Sequence, residues 1–270
     1  MNFGKMHRWR NYMKNYVPLS KNHQRWIRKL HQKKYRSEEG AFIAEGVNSL
    51  REAAERGNYT IKEIVIDRGM SEFLRNMLPH HIPIYECSEE EMKSISTEET
   101  PQGVLIICHE REAVFNDLSA HAPDVMLYLD RIADPGNLGT IIRTAAWFNV
   151  DKIILSPLSV DPFNTKVIRA SAGNIFRTEI FQSIEPEVLS QFAKENNYRL
   201  IAALPEGGTP VRQLKGKEKK IVLLGQEAGG LSRDIMKYAD EGVSIPGNGR
   251  VESLNLAVAA AIILYELWKG

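Results

Sequence analysis

Cysteine is scarce in this chain. There are two in 270 residues, Cys87 and Cys108, each in its own apolar stretch and at no metal-binding or redox spacing. That excludes a cysteine-based metal or redox centre and points to a reduced, cytoplasmic protein. Long hydrophobic runs are missing too. The run that closes the chain, Leu256 to Tyr265, has ten apolar residues before Glu266, about half of the ~20 that a membrane-spanning helix needs. No signal-peptide pattern of basic start, apolar stretch and small-residue cleavage site is present. Neither an internal repeat nor a low-complexity tract interrupts the chain. With 43% apolar and 26% charged residues, the expectation is a soluble globular protein of one large domain or two modest ones. No metal and no membrane partner is expected.

Acidic residues are absent from one place. Residues 1–37 hold no Asp or Glu but eleven of the 35 Lys and Arg, which leaves 24 basic against 34 acidic residues in the rest. A basic segment on an acidic body is an electrostatic footprint for a polyanion. Trp9, Tyr12, Tyr16, Trp26 and Tyr35 are interleaved with these cations, and aromatic rings offer faces for unpaired bases. Residues 1–16 read equally well as a solvated tail. A transit peptide, or a start at Met6 or Met13, is also compatible with them.

From Ser20 onward helices and strands alternate. The stretch 20–34 reads as one helix opened by a Ser cap, with Trp26, Ile27 and Leu30 on one face. Strands are expected in AFIAEG, IKEIVID, IPIYEC and GVLIICHE, with helices in VNSLREAAERGN, SEFLRNML and SEEEMKSI. The organisation expected is a basic segment over 1–19, a small α/β domain over 20–109, a linker over 110–123 and a larger α/β domain over 124–270. In the larger domain the strands VMLYLD, KIILS, EIFQ, YRLIAAL, KIVLLG and GVSIP alternate with helices beginning near Asn137, Thr165, Glu185, Ser232 and Leu254. Continuous apolar strands such as Ile221 to Leu224 mark a mostly parallel sheet covered on both faces.

Three glycine-marked segments each follow a strand, at the carboxyl end where open α/β sheets bind ligands. They are DPGNLGTIIRTA (134–145), LLGQEAGGLS (223–232) and SIPGNGRVESLNLAV (244–258). None is a familiar phosphate cradle: GNLGT lacks the P-loop lysine, and neither GQEAGG nor GNGRVE completes G-x-G-x-x-G after a first strand. One such loop is most simply a turn; three on one small sheet suggest a built pocket.

In this order the three segments closely resemble the motifs of the SpoU (TrmH-like) RNA 2′-O-ribose methyltransferases of the knotted SPOUT superfamily. KVIRASAGNIFRTEI (166–180) resembles that family's stretch between its first two motifs. RKLHQKKYRSEEGAFIAEGVNSLREA (28–53) is similar to the L30e-like substrate-binding domain often fused to it. The likeness covers residues 20–270. It implies a trefoil knot in the larger domain, a homodimer and S-adenosylmethionine as methyl donor. By position it assigns the donor pocket to Leu204, Gly225, Gln226, Glu227, Gly230, Ile245, Pro246, Ser253, Leu254 and Asn255. It assigns the chemistry to Arg143, Asn137, Glu227, Ser253 and Asn255. The RNA would meet Lys21, Arg25, Arg28, Lys33, Lys34 and Arg36. Ribosomal RNA of the 23S type is the substrate favoured by the L30e-like half. A transfer-RNA methyltransferase, a non-catalytic RNA-binding assembly factor and an antibiotic-resistance methyltransferase are the alternatives.

The residue types suit methyl transfer to oxygen. Displacement from a sulfonium is in-line, so alignment supplies much of the rate. A ribose hydroxyl hardly ionises at neutral pH, which makes a positive group near the developing alkoxide valuable. A guanidinium, with its very high pKa, is a poor base, so Arg143 fits stabilisation of the alkoxide or the adjacent phosphate. Asn137 could orient Arg143 or the ribose, and Glu227 could fix a loop or touch substrate. Taken alone, each residue has a plainer reading: Arg143 as a solvated helix arginine, Asn137 as a turn residue, Glu227 as a helix N-terminal charge, Ser253 as an N-cap, and Ser171-Ala172-Gly173 as close packing.

Overall fold

The structure, a computed structural model, describes residues 16–56, 59–74, 78, 82–110, 113–115, 118, 123–214, 218–226 and 229–269. The cations Lys5, Arg8, Arg10 and Lys14, the rings Trp9 and Tyr12, and the candidate site residue Glu227 lie outside the described residues. The chain divides into two compact units, Met1–Arg111 and Glu112–Gly270.

The small unit runs β1 (Tyr16–Pro18), α1 (Lys21–Lys29), α2 (Lys33–Glu39), β2 (Ala41–Glu45), α3 (Val47–Arg56), β3 (Ile61–Asp67), α4 (Ser71–Leu74), β4 (Ile84–Cys87), α5 (Glu89–Ile95) and β5 (Val104–His109). Its sheet has the order β1-β4-β3-β5-β2, parallel through β1, β4 and β3 and antiparallel on both sides of β5. Alternation sends Ile43, Val65, Leu105 and Ile107 to one face, against Ile27 of α1 and Met92 and Ile95 of α5. Phe42, Ile64, Ile66 and Ile106 are buried on the other face, where α3 packs on β2 and β5.

Two expectations change here. Tyr16–Pro18, read as the end of a basic segment, forms an edge strand beside β4, a place where a proline without an N–H is tolerated. The single helix expected over 20–34 is two. Ser20 caps its start, its Oγ accepting from the His23 amide at 3.2 Å. The helix then stops at Leu30, whose amide turns back to the Ile27 carbonyl at 3.0 Å. Arg36 Nη1 donates to the Leu30 carbonyl at 2.9 Å and His31 Nε2 to the Ile95 carbonyl at 2.7 Å. Arg36 is therefore buried, 3% exposed, and spent on holding this break. It leaves the set of cations expected to face RNA, whereas Lys21, Arg25, Arg28, Lys33 and Lys34 are exposed.

The large unit runs β6 (Val125–Leu129), α6 (Pro135–Trp147), β7 (Lys152–Leu155), α7 (Thr165–Ser171), β8 (Glu179–Phe181), α8 (Pro186–Glu195), β9 (Tyr198–Leu204), β10 (Thr209–Pro210), β11 (Lys219–Leu224), α9 (Arg233–Met236), β12 (Glu241–Ser244) and α10 (Leu256–Lys269). The order is β10-β12-β9-β11-β6-β7-β8 and every neighbouring pair is parallel. One face carries Met126, Tyr128, Ile154, Leu200, Ile221 and Leu223 against Leu189 and Phe192 of α8 and Ile235 of α9. The alternate residues Leu127, Leu129, Ile153, Val222 and Leu224 are buried too. Burial on both faces is why these strands read as unbroken apolar runs.

Gly139 explains one glycine signal. A Cβ there would lie 2.5 Å from Ala170 Cβ and 2.5 Å from the Val167 carbonyl oxygen. Gly139, the second glycine of GNLGT, thus lets α6 cross α7 closely. Ser171, fully buried with its Oγ on the Ile168 carbonyl at 2.7 Å, belongs to the same contact.

Candidate active site

Four strands adjacent in the large sheet, β12, β9, β11 and β6, end side by side. At that carboxyl edge lie Ile245, Leu204, Gly225 and Asp130, each at or just past the end of its strand. Parallel strands ~4.8 Å apart place these four ends on one rim.

The β11 loop is a tight reversal. Gln226 and Gly230 form an antiparallel bridge, with the Gly230 amide on the Gln226 carbonyl at 2.9 Å. Gly230 sits at φ +62°, in the left-handed region that glycine enters without cost. Gly225 has no room for a side chain: a Cβ would fall 2.1 Å from the Gly230 carbonyl carbon. Asp130 anchors the far end of this loop. Its carboxylate, 2% exposed, accepts the Ser232 amide at 2.7 Å, and its own amide bonds the Leu224 carbonyl at 2.8 Å. Sequence reasoning passed over Asp130; an acid at the very end of an apolar strand was the available signal.

The β12 loop crosses to α6. Asn255 is the N-cap of α10: its Oδ1 accepts from the amides of Ala257 at 3.0 Å and Val258 at 3.3 Å. That fixes which end of the amide is oxygen. The other end, Nδ2, donates to Asn137 Oδ1 at 3.0 Å. Asn137 sits in the first turn of α6, its amide held by the N-cap carboxylate of Asp134 at 2.7 Å. Two glycine segments 118 residues apart are thus joined by one side-chain hydrogen bond. Ser253 is not the N-cap, since α10 starts at Leu256, and it stands exposed beside Leu254.

Arg143 is exposed on α6, with no hydrogen-bond or ion-pair partner among the described residues. Six helical residues separate it from Asn137, about 9 Å along the axis and roughly 120° around it. No hydrogen bond joins the two, so Asn137 does not orient Arg143 directly. Pro246 is exposed, and Leu204 and Ile245 are half-buried.

These residues suit an adenosyl group. Leu204 and Ile245 offer partly uncovered apolar surface and Leu254 is 44% exposed. Among the described residues no cluster of three or more metal-ligating side chains occurs.

Comparison with known proteins places the chain in a family. Residues 124–265 match the SpoU rRNA Methylase family, and residues 22–106 match the MRM3-like substrate binding domain. A 23S rRNA (guanosine(2553)-2′-O)-methyltransferase of Bacillus subtilis is 31% identical over 89% of this chain and 93% of its own length. The S-adenosylmethionine-bound rRNA methyltransferase of Sinorhizobium meliloti superposes with a TM-score of 0.84 at 30% identity, over 94% of this chain and 97% of that one. The SpoU methyltransferase AviRb of Streptomyces viridochromogenes shares the fold, with a TM-score of 0.82 at 23% identity over 91% of this chain and 97% of its own.

Fold and relatives define an RNA methyltransferase that uses S-adenosylmethionine. The chain belongs to the SpoU rRNA methylase family.

Proposed function

We propose that the chain methylates a ribose 2′-hydroxyl of 23S-type ribosomal RNA, with the small unit holding the RNA and the carboxyl edge of the large unit carrying the chemistry. The observation that bears most weight is the Asn255–Asn137 hydrogen bond at 3.0 Å. It ties the loop that would wall the donor pocket to the helix that bears Arg143, so donor and acceptor share one frame.

S-adenosylmethionine, when bound, supplies an electrophilic methyl group on a sulfonium. Leu204, Gly225, Gln226, Glu227, Gly230, Ile245, Pro246, Ser253, Leu254 and Asn255 would hold it, largely through main chain. Arg143, exposed and without a partner among the described residues, stabilises negative charge on the attacking ribose oxygen or its phosphate. Asn137, held by Asn255, bonds the ribose, and Glu227 and Ser253 complete the substrate side. Lys21, Arg25, Arg28, Lys33 and Lys34 contact RNA phosphates.

Further parts of the reading concern architecture. The small unit is taken as L30e-like and, with β1 in its sheet, spans 16–109, the linker 110–123 and the knotted domain 124–270, with residues 1–15 as a basic arm; the setting is cytoplasmic. A homodimer is supported by the apolar side chains left open on two helices in contact, α6 and α10. Trp147 is 84% exposed and Trp268 67%, and Val258 and Tyr265 are 48% and 44% exposed; large apolar side chains left open on two contacting helices suit an interface.

Mapping ribose methylation across ribosomal RNA, with and without this gene, tests the substrate. One missing 2′-O-methyl in the large-subunit RNA is expected. Loss from transfer RNA instead would redirect the assignment, and failure to bind S-adenosylmethionine by calorimetry at millimolar concentration would end it.

A further inference from the structure

The break between α1 and α2 has a consequence at the surface. In an unbroken helix Lys29 and Tyr35, six residues apart, would stand about 9 Å apart along the axis and roughly 120° apart around it. The break folds them together. Lys29 Nζ lies 5.3 Å from the centre of the Tyr35 ring, and Lys34 Nζ lies 5.7 Å from it. Holding the break is costly. It buries the Arg36 guanidinium and, among the described residues, leaves His31 Nδ1 buried without a hydrogen-bond partner. Packing alone gives no reason to gather two ammonium groups around one ring. Among the described residues Lys29 and Lys33 have no carboxylate within ion-pair distance, and Lys34 meets Glu38 only at 3.9 Å with both side chains exposed, a contact worth little.

We propose that the α1–α2 break is a clamp for one unpaired ribonucleotide, its base stacked on Tyr35 and its phosphate held by Lys29 and Lys34. A ring face bordered by ammonium groups is the chemistry that single-stranded nucleic acid requires. The lysine tips exchange their place over the ring for charge-assisted hydrogen bonds to phosphate. A paired base is excluded, because its faces are covered by its neighbours in the stack. The clamp rests on the reading of the small unit as the RNA-holding half. It adds that this half anchors an exposed nucleotide rather than duplex surface alone.

The full chain is titrated with a fluorescein-labelled 12-nucleotide single-stranded RNA and with the same strand in a duplex. Tyr35→Ala should weaken the single strand about tenfold and leave the duplex within twofold, while Tyr35→Phe stays within twofold on both. Lys29→Ala combined with Lys34→Ala should weaken binding and flatten its salt dependence. Tyr35→Leu, which fills the same place without a stacking ring, takes over if the alanine variant fails to fold. An unchanged single-strand affinity for the ring-less variant, or an equal loss on single strand and duplex, overturns the clamp. Methyl transfer to ribosomal RNA is read in parallel. A chain that shows these binding ratios but transfers no methyl sinks the methyltransferase reading and spares the clamp. One that methylates while the ring-less variant binds normally sinks the clamp alone.

Discussion

Replacing Gly139 with alanine sets two effects of opposite sign against each other. In a helix interior alanine is favoured over glycine by about 1 kcal/mol, so local propensity predicts a more stable protein. The tertiary contact predicts the reverse. The new Cβ would stand 2.5 Å from Ala170 Cβ and 2.5 Å from a main-chain oxygen, Val167 O, and 3.1 Å from the Ser171 amide nitrogen. None of these is the mobile end of a long side chain, so α6 and α7 must separate by more than an ångström at their crossing. Overpacking of that kind costs ~1–3 kcal/mol, and backbone neighbours put it at the upper end. The net loss is about 2 kcal/mol, a fall of roughly 4–8 °C in the melting of a unit this size. Scanning calorimetry on the full chain, following the transition of the large unit, measures it. A variant that melts higher than the parent would show that helix propensity outweighs this contact and that Gly139 is not a packing residue.

Asn255→Asp and Asn255→Ala should separate capping from connection. Aspartate still accepts from the Ala257 and Val258 amides but cannot donate to Asn137, so methyl transfer falls while the melting temperature holds; alanine loses the cap as well, at a cost of about 1 kcal/mol. Arg143→Ala should lower methyl transfer at least a hundredfold, with stability within ~0.5 kcal/mol because the side chain is exposed and with S-adenosylmethionine binding intact by calorimetry. Burial, then nearby Asp67 and Glu91, pushes the Cys87 thiol up to about 12, and burial alone raises Cys108 further. Both thiols should resist a disulfide reagent in the native protein and react fully in denaturant. A folded-state pKa raised above the unfolded value gives stability that is complete below about pH 9 and is lost as pH rises towards 12; alkaline melts that stay flat through pH 11 would contradict this.

Much of this protein is legible locally. Alternating apolar strands and capped helices mark nearly every element of both units, because period and end-signals are properties of a few neighbouring residues. The carboxyl-edge position of the three glycine segments is legible for the same reason, since each follows a strand that announces itself. What escaped local reading depends on partners far along the chain. The α1–α2 break is made by Arg36 and by His31 bonding Ile95, 64 residues away, against a pattern that continues as helix through Lys34. β1 exists only because β4 offers it an edge. Gly139 looks like part of a ligand loop until α7 arrives beside it, and Asn255 rather than Ser253 takes the cap because its amide also reaches Asn137 across 118 residues. Sequence by itself determined which glycine segments follow strand ends and so which were candidates for the site. Only the tertiary structure decided which of their residues touch, because strand order and helix crossings are set by packing between segments that share no local signal.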